Sequence, residues 1–168
     1  MIPTRTFDLL DRFVTLFPNR QVLAEKSDGQ WIYYTSEQYH EIAHHFAWGL
    51  LELGFRKGDK IATITNNRPQ WNFVDLGMAM AGVIHVPVFT SLSREEYRFI
   101  LEHSDARMVI VSDRKLYETV LPVFRSLPQV EWLFTFNAVE GAARWTEVTG
   151  KGEKSGDDIK KSLEAIKN

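Results

Sequence analysis

Three histidines, an aspartate behind an apolar run and a string of hydroxyls are the residues of this 168-residue chain whose types and spacing could do chemistry. His40 and His44 stand four apart, the spacing that puts two imidazoles on one helical face and suits a metal. The same helix sets them and His45 near its exposed edge, away from Ile42, Phe46 and Leu50, and no third ligand follows at a telling spacing. Surface histidines are the reading, and no metal site is expected. Asp113 follows Met108–Val111, the position of a receiver-type phosphoacceptor. Such a site needs acids at another strand end, yet Ile61–Thr65 leads into Asn66 and Asn67, so Asp113 reads as a turn or helix cap. Ser112 has no histidine partner at a recognisable spacing and is not read as a nucleophile. Thr90-Ser91-Leu92-Ser93 could wall a cleft, but Ser93 with Glu96 three residues on makes helix capping the simpler role. Neither G-x-G-x-x-G nor G-x-x-x-x-G-K-[ST] occurs, so no phosphate loop is present. These residues yield no catalytic, cofactor-binding or metal-binding assignment.

Composition narrows the classes further. Hydrophobic residues make up 44% and charged residues 25%, which fits a globular domain rather than a disordered chain. A formal net charge of -2 supplies no broad basic field, so nucleic acid is not an expected partner. The chain has no cysteine, which excludes a disulfide framework, a thiolate nucleophile and a cysteine zinc site. The start, Met1 to Thr6, lacks the apolar core of a secretory signal. Trp71 to Phe89 is apolar enough to invite a membrane reading but carries Asn72, Asp75, His85 and Pro87; a helix running into a buried strand explains it better. A cytoplasmic protein without a transmembrane segment is expected.

The elements that would position these residues follow from periodicity and punctuation. Phe7 to Phe17 has helical spacing and ends at Pro18. Val22–Lys26 and Trp31–Tyr34 flank Asp28-Gly29, a hairpin signal. Thr35 and Gln38 make a capping box for a helix whose face is Tyr39, Ile42, Ala43, Phe46, Ala47, Leu50 and Leu53, with Gly54 as its end. Strands over Ile61–Ile64, Val83–Phe89, Met108–Val111 and Trp132–Phe136 then alternate with helices opened at Pro69, at Ser93 and near Leu116, the last kinked or broken at Pro122. This alternation predicts an open, doubly wound, mainly parallel α/β sheet with helices on both faces, plus an N-terminal helix and β-hairpin. Residues 1–140 form the α/β subdomain in this reading. Residues 141–168 form a polar loop, centred on Gly150–Gly156, and a short helix from Asp157 with Ile159, Leu163 and Ile166 on one side.

From Tyr34 to Asp113 the chain resembles the N-terminal region of the adenylate-forming superfamily. The resemblance is carried in order by Tyr34-Thr35, by Ala47-x-Gly49-Leu50-Leu51-x-Leu53-Gly54 and by Lys57-Gly58-Asp59-Lys60-Ile61-Ala62. It continues through Asn66-Asn67-Arg68-Pro69-Gln70-Trp71, Ala81-Gly82-Val83-Ile84-His85-Val86-Pro87-Val88 and Tyr97-x-x-x-Leu101-x-x-Ser104-x-Ala106. Pro87-Val88-Phe89-Thr90-Ser91 and Gly141-x-x-x-Trp145 are similar to the long-chain fatty acyl-CoA synthetase branch. His85 departs from the aromatic or small residue usual there.

The resemblance implies an AMP-forming ligase acting on a fatty acid, ATP and coenzyme A, with magnesium balancing phosphate charge. It also implies a Ser/Thr/Gly-rich phosphate loop, an aromatic-x-Thr-Glu segment and a C-terminal-domain lysine, none of which lies in these 168 residues. The stretch therefore reads as a front portion, cut before the phosphate loop, inactive alone and able to self-associate through an uncovered face; membrane-peripheral attachment of the whole enzyme is compatible with this. A non-catalytic α/β binding domain of the same ancestry is the alternative, and a receiver-like module a third.

Overall fold

The computed structural model describes residues 3–167; Met1, Ile2 and Asn168, the outermost residues of the N-terminal and C-terminal readings above, lie outside them. Helix α1 (Asp8–Leu16) precedes an antiparallel hairpin of β1 (Gln21–Ser27) and β2 (Gln30–Thr35). Asp28 and Gly29 take φ of 49° and 82°, the left-handed pair that a tight two-residue turn demands. Helix α2 (Ser36–Glu52) opens on the expected capping box: Thr35 Oγ1 accepts from the Gln38 N–H at 3.3 Å, and Gln38 Oε1 accepts from the Thr35 N–H at 2.9 Å. Gly54, at φ 79°, ends it, and the Phe55 N–H returns to the Leu50 carbonyl at 3.0 Å.

Strands β3 (Lys60–Ile64), β4 (Ile84–Val88), β5 (Ala106–Val111), β6 (Trp132–Thr135) and β7 (Ala143–Arg144) form one parallel sheet in the order β4-β3-β5-β6-β7. Side-chain alternation splits its core in two. Ile61, Met108, Ile110 and Phe134 point to α2 and to α3 (Pro69–Met80), whereas Ala62, Ile64, Val109, Val111 and Leu133 meet α4 (Arg94–Ser104) and α5 (Arg114–Ser126). The doubly wound expectation is met. Arg107, at the start of β5, ties the other end of the sheet: its Nε donates to Glu131 at 2.7 Å, its Nη1 to Asp59, and its guanidinium lies 4.6 Å from the Phe55 ring. The hydrogen bond to Arg107 holds the Glu131 carboxyl below its usual range.

The structure corrects the expected secondary elements in four places. The strand at 84–88 is not a buried one: β4 is the sheet's edge, with Ile84 50% exposed. Pro87 fits there, because an edge strand can lack a ladder donor. Helix α5 runs through Pro122 without a break. The proline and the Glu118 whose carbonyl loses its donor are both exposed, and Leu116, Val120 and Val123 pin the buried side. A short strand, β7, follows β6, which was expected to be the last. Finally, the glycine-rich stretch read as loop is largely helix α6 (Thr146–Glu153), followed as expected by α7 (Asp157–Lys167). Gly152 lies against the His45 carbonyl and Gly49 against that of Val148, so α6 crosses α2 at backbone-to-backbone contact. The glycines serve close approach, not chain reversal. Trp145, Val148 and Leu163 belong to the α2–α3 core. None of the described helices is long and apolar enough to cross a membrane.

Candidate functional site

Helix α3 leaves β3 on one face of the sheet and α5 leaves β5 on the other, so the two connections diverge at the carboxyl ends of neighbouring strands. That divergence opens a crevice, the place where open α/β sheets bind ligands. Three adjoining hollows occupy it. One of about 270 Å³ lies over Thr65–Asn72. One of about 690 Å³ is walled by Thr63, Asn66, Trp71, Pro87, Phe89 and Thr90. The third, about 430 Å³, reaches from Asn66 and Ser91 to Asp113 and Lys115. Asn66 borders all three.

The hydroxyl loop both caps a helix and walls the crevice. Ser93 caps α4, accepting from the Glu96 N–H at 3.2 Å while Glu96 Oε2 accepts from the Ser93 N–H at 2.7 Å. Thr90 and Ser91 face the hollows, and the Tyr97 hydroxyl fastens the loop by donating to the Phe89 carbonyl at 3.1 Å. Asp113 is the N-cap of α5: Oδ1 accepts from the Leu116 N–H at 3.1 Å, and Oδ2 from the Ser112 hydroxyl at 2.8 Å. Both oxygens of this acid are thus engaged, and Ser112, 3% exposed, is its orienting partner.

Two features of the crevice were not anticipated. His85 bridges Asp75 and Thr63, with Nδ1 2.7 Å from Asp75 Oδ1 and Nε2 2.7 Å from Thr63 Oγ1. An ionised carboxylate can only accept, so Nδ1 carries a proton; in the neutral ring Nε2 then accepts from the Thr63 hydroxyl. The Trp71 ring lies 4.9 Å from the imidazole and closes it off. Arg68 lines the smallest hollow: Nε donates to Gln70 at 2.8 Å and Nη2 to Asn137 at 2.9 Å, with the Phe136 ring 4.9 Å away. Gln70 in turn donates to Glu25 at 2.6 Å, and Glu25 accepts the Tyr34 hydroxyl at 2.7 Å, which fastens the hairpin to α3. Burial, then Glu25, push the Tyr34 hydroxyl up to about 12, so it remains a donor at neutral pH.

With this architecture in view, residues 10–162 match the family described as AMP-binding enzyme. The chain belongs to that family. A long-chain-fatty-acid–CoA ligase of Rattus norvegicus is 28% identical over 125 residues, which cover 74% of this chain and 17% of that ligase. The anthranilate CoA ligase AuaEII, solved with anthranoyl-AMP, superposes with a TM-score of 0.77 at 24% identity, over 89% of this chain and 29% of that one. A long-chain-fatty-acid-CoA ligase from Archaeoglobus fulgidus gives 0.77 at 20% identity, over 90% of this chain and 31% of that one. At these identities the two solved structures speak for the fold alone. The chain thus spans about 17% of the length of the Rattus norvegicus ligase it matches.

The histidines lie apart from the crevice, on α2. His40 and His45 are half-buried, but His44 is only 8% exposed, so it is not at the open edge where the helical reading set it. A third candidate donor, Asp11 on α1, stands beside His40 and His44. Nothing in the local spacing signals it.

Proposed function

We propose that this chain is the N-terminal portion of a long-chain-fatty-acid–CoA ligase. The longer enzyme joins a fatty acid carboxylate to the α-phosphate of ATP, releasing pyrophosphate, and the coenzyme A thiol then displaces AMP from the acyl-adenylate. The observation that carries the reading is the family match over residues 10–162, lying on a sheet with an open switch-point crevice. In this proposal residues 1–140 are the N-terminal α/β subdomain, and 141–168, whose β7 joins the same sheet and whose α6 packs on its core, lead towards the remainder. The enzyme works in the cytoplasm, where membrane-peripheral attachment is compatible with it.

The residues at the crevice do not by themselves fit magnesium–ATP. Asp113 is the one acid lining the three hollows among the described residues, and both its oxygens are already engaged. The family's phosphate loop, whose backbone donors stabilise the transferring phosphate, is absent from the sequence. No step through ATP or magnesium is therefore assigned to residues of this chain. The 168-residue chain is expected to show no ATP–pyrophosphate exchange above buffer, while a protein continuing through the phosphate loop shows fatty-acid-dependent exchange. Exchange by the short chain would refute its inactivity; failure of the longer protein with any fatty acid would refute the ligase reading.

The same proposal accounts for an uncovered apolar border. Ile84, Phe89 and Phe99 are 50%, 81% and 66% exposed along and beside the edge strand β4. Such surface favours association when nothing covers it. Sedimentation of the 168-residue chain is expected to show a concentration-dependent rise in mass, reduced by Phe89→Ser with Phe99→Ser. A monomer at every concentration would remove this part of the proposal.

A further inference from the structure

Asp11, His40 and His44 place three donor atoms within 4.8 Å of one another where α1 meets α2. His40 Nε2 lies 2.9 Å from Asp11 Oδ1. His44 Nδ1 lies 2.9 Å from the His40 carbonyl oxygen, which can only accept, so Nδ1 holds the proton and Nε2 keeps a free lone pair. A backbone carbonyl fixing one ring nitrogen so that the other can bind a metal is the usual support of a ligating histidine.

We propose that Asp11, His40 and His44 form a binding site for a divalent transition ion, Zn²⁺, with water completing the coordination. Two imidazoles and one carboxylate suit zinc rather than magnesium, which demands oxygen ligands. Tetrahedral zinc with bonds near 2.1 Å sets its donors roughly 3.4 Å apart, so the present cluster needs only small side-chain rotations. Asp11 binds through Oδ1 and keeps Oδ2 towards Lys167, whose Nζ is 3.8 Å away. That ammonium opposes the incoming charge and weakens the site without blocking it. The ion clips α1 to α2, outside the crevice and independent of the ligase reading.

The test uses tag-free, EDTA-treated protein titrated calorimetrically with ZnCl₂, with Co²⁺ absorption reporting imidazole ligation. One ion per chain is expected, and zinc raises the melting temperature. His40→Ala and His44→Ala abolish the saturable step. Asp11→Asn, at a half-exposed position where the amide still reaches His40, weakens it by about tenfold or more. His45→Ala leaves it unchanged, and Lys167→Met tightens it by relieving repulsion. Absence of saturable binding overturns the proposal. So does binding that survives His40→Ala and Asp11→Asn in correctly folded protein, or a Lys167→Met variant that binds more weakly.

Discussion

Gly152→Ala is expected to destabilise the protein by about 3 kcal/mol, a drop of roughly 6–12 °C in melting temperature for a domain of this size. The added methyl would overlap the His45 carbonyl oxygen and come within 2.7 Å of the Gly49 nitrogen. These are backbone atoms of α2, and they cannot yield unless the two helices part. Parting them loosens Trp145 and Val148, which close the core beside Phe46. Gly150 supplies the comparison, because a methyl there meets nothing within 4 Å. Gly150→Ala should raise stability by about 0.5–1 kcal/mol through helix propensity alone. Thermal melts of the two variants decide the matter: equal melting temperatures would mean that α6 does not depend on close contact with α2.

Phe73→Ala is the second large effect, about 3–5 kcal/mol. Phe73 is 1% exposed. Its ring lies 5.1 Å from Tyr34 of the hairpin, 5.4 Å from Tyr39 of α2 and 6.4 Å from Trp145 before α6. It is the side chain on which three separate pieces of the chain converge on α3. Its removal leaves a cavity lined by rigid rings that cannot collapse to fill it. Phe73→Leu, which keeps most of the volume, should cost less than about 1.5 kcal/mol. Chemical denaturation measures both, and hydrogen exchange should show the hairpin losing protection first in Phe73→Ala. A loss below about 1 kcal/mol in Phe73→Ala would show that the junction is held by something else.

The crevice is the part of the site that topology makes legible. Alternating strands and helices imply parallel pairing, and parallel pairing with helices on both faces implies a switch point. The asparagines after β3 and the hydroxyls after β4 are found there. Asp113 and Ser93 are legible as caps because a cap is a bond over three residues, visible in a short stretch of sequence. In the sequence His85 stands out only as a departure from the family pattern. Its partners Asp75 and Thr63 lie 10 and 22 residues away, and no local spacing announces them.

What the sequence by itself determined is whatever depends on near neighbours: the capping boxes at Thr35 and Ser93, the Asp28-Gly29 turn, the Gly54 stop and the apolar face of α2. The resemblance to adenylate-forming enzymes added the family, which the match over residues 10–162 bears out. Tertiary structure decided the rest. Gly150-Lys151-Gly152 carries little helix propensity, and it is helical because glycine lets α6 press directly onto α2, where packing outweighs propensity. Strand β4 lies at an edge because sheet order is set by which crossovers pack, and apolar content alone does not reveal it. Asp11 stands 29 residues before His40 and reaches it only because the buried Phe7 and Leu10 of the N-terminal segment fold into the core. Periodicity records the face a helix buries; which residues of another helix that face meets is fixed only when the chain packs.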